Sequence, residues 1–202
     1  MTIDEGYIKY QSFWTRAPIP NASAAEVLDT WRRPLFDAGL IGQYEEYGIG
    51  FGNISIRCGG PGEFLISGTQ TGHLAETDKT HYSLVTSWSV HVNRVCCVGK
   101  VQASSEAMTH AAIYQLDLKI GAIVHVHSGE LWHRHLGRLP TTNPEVAYGT
   151  PEMANEFRRL YRDTDFRKTK LAVMAGHEEG LLSFGTTLEE AAGRVLELQA
   201  AL

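Results

Sequence analysis

The nine residues GAIVHVHSG, 121–129, constrain this chain more than any other stretch. They read as a buried strand, yet they carry imidazoles at His125 and His127. Side chains alternate along a strand, so Ile123, His125 and His127 share one face while Val124 and Val126 take the other. Burying an imidazole costs free energy unless it finds a hydrogen bond or a metal. Same-side neighbours lie roughly 6–7 Å apart along a strand, close enough for both rings to meet one ion. The H-x-H spacing alone fits two histidines hydrogen-bonded at a sheet end at least as well.

Two further features favour a metal. His177 directly follows the apolar run KLAVMAG, at a strand end where sites are commonly built. Glu106 and His110, at i and i+4, stack on one helix face. His125, His127 and His177 with Glu106 make a compact four-ligand set suited to Zn²⁺ or a related divalent ion. His73, His81 and His91 have no partner at ligand spacing. His133 and His135 repeat the H-x-H spacing in a segment read as helix or loop, where i and i+2 diverge.

Around this strand, 202 residues without an internal repeat or linker read as a single domain, 1–202, with an irregular N-terminal arm over 1–22. Ser23 to Glu26 matches a capping box opening a helix over 24–39, with Val27, Trp31 and Leu35 on its apolar face and Gly39 at its end. Residues 53–67 read as a hairpin, and 84–98 supply one or two strands. SSEAMTHAAIYQLDL is a helix opened by Ser104 or Ser105, and TPEMANEFRRLYRD a helix with Pro151 in its first turn. KLAVMAG is a strand, and the last segment is a helix with a capping box from Thr186 to Glu189. The pattern is a mixed sheet covered by helices, an α/β layered domain.

Composition excludes several roles. A net charge of -5 with no Lys/Arg-rich run gives no footprint for nucleic acid. No apolar run approaches the roughly 18 residues of a membrane span. MTIDEGYIKYQ lacks the basic and apolar regions of a secretion signal, so the expected location is cytoplasmic. Cys58, Cys96 and Cys97 match neither a disulfide framework nor a zinc spacing and read as small apolar residues in a reducing compartment.

GFGNISIR, FLISGTQTG, GKVQASSEAMTHAAIY, AIVHVHS, VAYGTPEMA and VMAGHEEGLLSFGTTLEEA occur in that order between Gly50 and Ala192. The series resembles the class II aldolase/adducin family. That resemblance implies a three-layer α/β/α fold with a central mixed, largely antiparallel sheet. It implies a homotetramer with intersubunit sites and a divalent metal, usually Zn²⁺, with Mn²⁺, Co²⁺ or Fe²⁺ as alternatives. It assigns the metal to His125, His127 and His177, and to Glu106 the acid/base role together with a metal contact. The family's epimerases carry Asp at that position, so Glu106 leans toward aldolase chemistry. Phosphate binding falls to Gly52, Asn53, Ser104 and Ser105, with SGTQTG aligned on Ser67 and Gly68 or on Thr71 and Gly72.

The implied activity is metal-dependent, aldolase-type cleavage of a C–C bond in a small sugar phosphate or related hydroxy-carbonyl compound. Epimerase or dehydratase chemistry at the same site, or a non-catalytic adducin-like module, are the alternatives. Elementary chemistry agrees: a bound cation stabilises the enediolate left by C–C cleavage, and a carboxylate within reach moves the proton. A Gly–Asn turn with hydroxyls and amides at a helix start cradles an anion without Arg or Lys. Departures from the family pattern are Glu178 after the third histidine, Ala103 before the serines and a short connection between Ser128 and Thr150. No tyrosine follows Tyr161, so the catalytic tyrosine that the resemblance implies is either absent here or supplied differently, with Tyr148 as the candidate.

Overall fold

Strand β8 (Ala122–His127) is buried at every position, and its neighbours explain why. In the computed structural model, which describes residues 6–202, it pairs antiparallel with β4 (Asn53–Arg57) on one side and β10 (Gly180–Gly185) on the other. From β4 the sheet continues through β5 (Phe64–Ser67), β6 (Tyr82–Ser89) and β7 (Arg94–Gly99) to the edge strand β1 (Gln11–Arg16). From β10 it ends at β9 (Leu171–Val173). The β1–β7 pair is parallel and the other pairs of this sheet are antiparallel, so the sheet is mixed and largely antiparallel as expected. A small second sheet pairs β2 (Gly42–Tyr44) with β3 (Ile49–Phe51).

The alternation along β8 sorts its side chains between two cores. Val124 and Val126 pack with Leu28 and Leu35 of α1 (Ala22–Asp37), Leu131 of α3 (Gly129–His135) and Val195 of α6 (Leu188–Ala200). Ile123 packs with Met108 of α2 (Ala107–Tyr114), Phe157 of α4 (Pro151–Asp163) and Phe166 of α5 (Phe166–Thr169). Helices therefore cover both faces, which is the three-layer α/β/α arrangement. His125 and His127 share the Ile123 side, facing the layer that contains α2.

Several element boundaries correct the sequence reading. Asn21 caps α1, its side chain accepting from the Ala24 N–H at 3.3 Å and from the Ser23 hydroxyl at 2.8 Å, so Ser23 is not the cap. The buried stripe of α1 runs through Leu28, Arg32 and Leu35, whereas Val27 is 48% exposed. The helix stops before Gly39, which takes a φ of 71° that few residues other than glycine adopt readily.

Helix α2 starts only at Ala107, later than Ser104 or Ser105. The reason is that Ala103 bridges Gly68 and the Ser104 N–H donates to the Ser67 carbonyl at 3.1 Å. These contacts tie Ser104 to the end of β5, and a turn closed by the Ala107 N–H on the Ser104 carbonyl at 2.9 Å carries Ser105 and Glu106 into the helix. The last helix is capped by Thr187 rather than Thr186: Thr187 accepts from the Glu190 N–H at 3.2 Å, and Glu190 accepts from the Thr186 N–H, one residue before the cap, at 2.9 Å. Residues 11–16 of the expected irregular arm form β1, while residues 1–5 of that arm lie outside the described residues.

One buried charge fixes the loop after β5. Arg32 is 1% exposed, and its guanidinium donates to the carbonyls of Leu74 at 2.5 Å, Thr71 at 2.8 Å and Gly72 at 3.2 Å. A buried guanidinium is tolerated because its donors are matched by carbonyl oxygens. The loop from Gly68 to Leu74 is thereby anchored from below by α1.

Candidate metal centre

Three histidines converge at one end of the central strands. Strand pairing sets His125 opposite Leu182 and His127 opposite Gly180. His177 stands in the loop between β9 and β10, whose turn is closed by His177 N–H to Met174 O at 3.1 Å and Gly180 N–H to His177 O at 2.9 Å. The ring centroids are 4.9 Å apart for His125 and His127, 5.0 Å for His125 and His177, and 4.7 Å for His127 and His177. One nitrogen from each lies within 4.8 Å of the other two, and all three residues are buried.

The hydrogen bonds decide which nitrogens face inward. His125 Nδ1 is 3.0 Å from the Leu181 carbonyl oxygen, so that nitrogen carries the proton. His127 Nδ1 is 2.9 Å from the Tyr44 hydroxyl. The two Nε2 atoms are 3.1 Å apart. Nitrogens around a tetrahedral ion with bonds of about 2.0–2.1 Å sit roughly 3.3 Å from one another, so this pair is already at ligand separation. Burial, with the charges of His177 and His125, pushes His127 well below its ordinary 6.5, keeping its ring neutral and able to donate a lone pair.

Glu106 is 2% exposed and stands beside this cluster, with Oε1 3.3 Å from His177 Nδ1. Neither carboxylate oxygen has a hydrogen bond of good geometry, and the buried Asn53 Oδ1 is likewise unsatisfied. Orphaned buried oxygens beside inward-facing imidazole nitrogens are what a divalent cation and its attached ligand would satisfy. The residues present thus fit a metal. Burial raises the Glu106 carboxyl, but the His177 contact, the charges of His125 and His177 and the Thr109 hydroxyl outweigh it and leave it at about 2. Glu106 is therefore an ionised base.

His110, the i+4 partner of Glu106, turns elsewhere, its Nδ1 lying 2.7 Å from the Ser55 hydroxyl. Burial lowers it to about 3 despite the opposing charge of Glu106. His133 and His135 lie on α3, outside the cluster. Tyr148 stacks on His177 with centroids 4.4 Å apart, and its hydroxyl accepts from the Tyr7 N–H at 3.1 Å. The hydroxyl thus faces the N-terminal arm, and the ring walls His177.

A polar cleft adjoins the histidines, lined by Gly52, Asn53, Gly68, Ser104 and Ser105 among the residues expected there. Thr69, Gln70, Thr71 and Gly72 line it too, so both alignments of SGTQTG reach the cleft. Ser67 does not, because its hydroxyl accepts from the Ile54 N–H at 3.0 Å and donates to the Ile54 carbonyl at 3.2 Å. Gly52 has a φ of 73°, and a Cβ there would come within 2.8 Å of Ile41 Cγ1. Sequence reasoning missed Tyr44, Phe51, Glu179 and Arg32. Phe51 and Glu179 lie inside the motifs GFGNISIR and GHEEG, but only Glu178 of the latter was singled out.

A family model described as the class II aldolase and adducin N-terminal domain matches residues 40–202. The chain belongs to the class II aldolase/adducin family. L-fuculose-1-phosphate aldolase from Thermus thermophilus superposes with a TM-score of 0.62 at 19% identity, covering 88% of this chain and 89% of that one. A sugar-phosphate aldolase from Thermotoga maritima gives 0.66 at 16% identity, covering 89% and 91%. YgbL from Escherichia coli, whose description leaves aldolase, epimerase and decarboxylase open, gives 0.64 at 22% identity, covering 88% and 86%. At these identities the likeness is one of fold, and it agrees with the three layers described above. No curated protein matches the chain at a significant level. No described helix is long and apolar enough to cross a membrane.

Proposed function

We propose that this member of the class II aldolase/adducin family is a divalent-metal-dependent, aldolase-type lyase cleaving a C–C bond of a small phosphorylated hydroxy-carbonyl compound. The observation carrying this reading is the Asn53–His125 pairing between β4 and β8, which sets the polar cleft beside the three histidines. His125, His127 and His177 would hold the ion, with Glu106 as the carboxylate beside it. A cation there supplies Lewis-acid stabilisation for the negative charge that C–C cleavage leaves on a carbonyl oxygen.

The chain's own groups do the rest. The Glu106 carboxylate takes a hydroxyl proton as the bond breaks and returns it to the carbon left behind. Gly52, Asn53, Gly68, Ser104 and Ser105, with Thr71 and Gly72, hold the phosphate through hydroxyl, amide and backbone donors. Phe51, stacked on His127 at 5.4 Å, and Tyr148 on His177 shield the imidazoles from water. Four such chains assembled as a homotetramer complete the reading, and mass measurement in solution tests that part.

Elemental analysis of the purified protein, followed by incubation with C4 to C6 ketose phosphates, tests the activity. Stoichiometric metal and release of a shorter aldehyde are expected. Products with an unshortened carbon chain would move the reading to epimerase or dehydratase chemistry. Absence of both metal and turnover would leave an adducin-like module.

A further inference from the structure

The Tyr44 hydroxyl stands between two groups, 2.9 Å from His127 Nδ1 and 2.6 Å from Glu179 Oε2. A phenol has a single proton, and an ionised carboxylate only accepts. The Tyr44 proton therefore goes to Glu179, and the phenol oxygen accepts from His127 Nδ1–H. That order leaves Nε2 of His127 as the lone-pair nitrogen, in the same tautomer that the Leu181 carbonyl imposes on His125. Two lone pairs facing each other at 3.1 Å repel unless a cation sits between them.

We propose that Tyr44 and Glu179 are positioning residues that fix the tautomer and ring orientation of His127 and thereby set the affinity of the site for a divalent cation. This rests on the metal reading above and adds the residues that tune it. Two observations show that the pair is held in place. Glu179 takes a φ of 65°, a left-handed conformation that few residues other than glycine adopt, and its carbonyl accepts from the Ser128 N–H at 2.9 Å. Tyr44 packs on Phe51 at 4.7 Å, and Phe51 stacks on His127, so the β2–β3 hairpin is a plate fitted to one face of that ligand. The negative charge of Glu179, passed through the phenol, makes the imidazole a stronger donor.

The test uses Zn²⁺ alone as the probe. Its dissociation constant is measured by competition with a chromophoric chelator on the metal-stripped protein: wild type, Tyr44→Phe, Glu179→Gln, His127→Ala and Tyr47→Phe, an exposed tyrosine in the same hairpin. Tyr44→Phe is expected to weaken Zn²⁺ binding by about 10–100-fold, Glu179→Gln by less, and Tyr47→Phe not at all. Nitrogen NMR of the histidine rings is expected to show the Nδ1–H tautomer of His127 in the wild type and a mixed population in Tyr44→Phe. A Tyr44→Phe protein of lower melting temperature but unchanged Zn²⁺ affinity would reduce the pair to a structural role and overturn the proposal. Should Tyr44→Phe fail to fold, Glu179→Gln decides by the same affinity and tautomer readouts. Full Zn²⁺ affinity in His127→Ala would instead bring down the metal reading itself.

Discussion

Asn53 and His125 are register partners across β4 and β8, so a residue of the polar cleft and a candidate metal ligand are carried by adjacent strands. Such strands lie about 4.7–4.9 Å apart, the spacing needed for one small molecule to touch both. Asn53 Oδ1 is buried without a hydrogen bond, an acceptor open to a ligand hydroxyl, while the amide Nδ2 is the group able to donate to a phosphate. Asn53→Ala is expected to raise KM for a phosphorylated substrate by about 5–150-fold, equivalent to 1–3 kcal/mol, with kcat changed much less. Equal loss in kcat and KM-normalised rate would show that Asn53 acts on the reacting atoms instead.

Glu106 carries the sharpest prediction. Replacing it with Gln keeps the shape and removes the proton-accepting charge. Turnover is expected to fall by about 10²–10⁴-fold while the three histidines keep the metal bound. Metal content and steady-state rate, measured on the same sample, separate these effects. A fully active variant would remove Glu106 from the chemistry.

Acid should destabilise this protein through His110. Burial holds its folded-state value at about 3, whereas an exposed histidine titrates near 6.5. Between those values the unfolded chain binds a proton that the folded one does not, so stability is full above about 6.5 and is lost as pH falls toward about 3. The slope approaches about 1.4 kcal/mol per pH unit, and Glu106, depressed to about 2 from 4.5, adds to it below 4.5. Urea unfolding at pH 7 and pH 5 reads the difference, and His110→Gln should reduce it by the His110 share, the depressed His127 supplying slope of the same sign. Equal stability at the two pH values would contradict the burial argument.

Arg32 anchors three carbonyls of the cleft loop, and Arg32→Leu removes its donors from all three, leaving the Thr71 carbonyl with the Leu74 N–H at 3.2 Å. A loss of about 2–5 kcal/mol is expected, seen as a lower denaturant midpoint at unchanged m-value. Arg32→Lys should recover part of it, since an ammonium reaches fewer of the carbonyls. A midpoint unmoved by Arg32→Leu would mean that water satisfies the loop.

Much of this was legible because periodicity survives where one element meets one core. The alternation of β8 placed His125 and His127 on a common face, and the hairpin over 53–67 followed from Ile54, Ile56 and the GGPG turn. Strand β10 was not read because Leu181 to Phe184 are buried on both faces and show no alternation. Strand β1 escaped because its partner β7 lies far along the chain and most of its side chains are exposed. Arg32 was concealed by its charge: a helix pattern that favours apolar residues passed over the guanidinium and chose Val27. Tyr44 sits in a three-residue strand, too short for any period to declare which way its hydroxyl points.

The match to the family begins at residue 40, whereas Arg32 precedes it. The boundary of the family match and the boundary of the structure that supports the cleft therefore do not coincide. A domain trimmed to the matched segment would keep every candidate ligand and lose the foundation of its cleft loop. Grafting or shortening this chain should keep the helix beneath the cleft, whose Arg32 holds the loop.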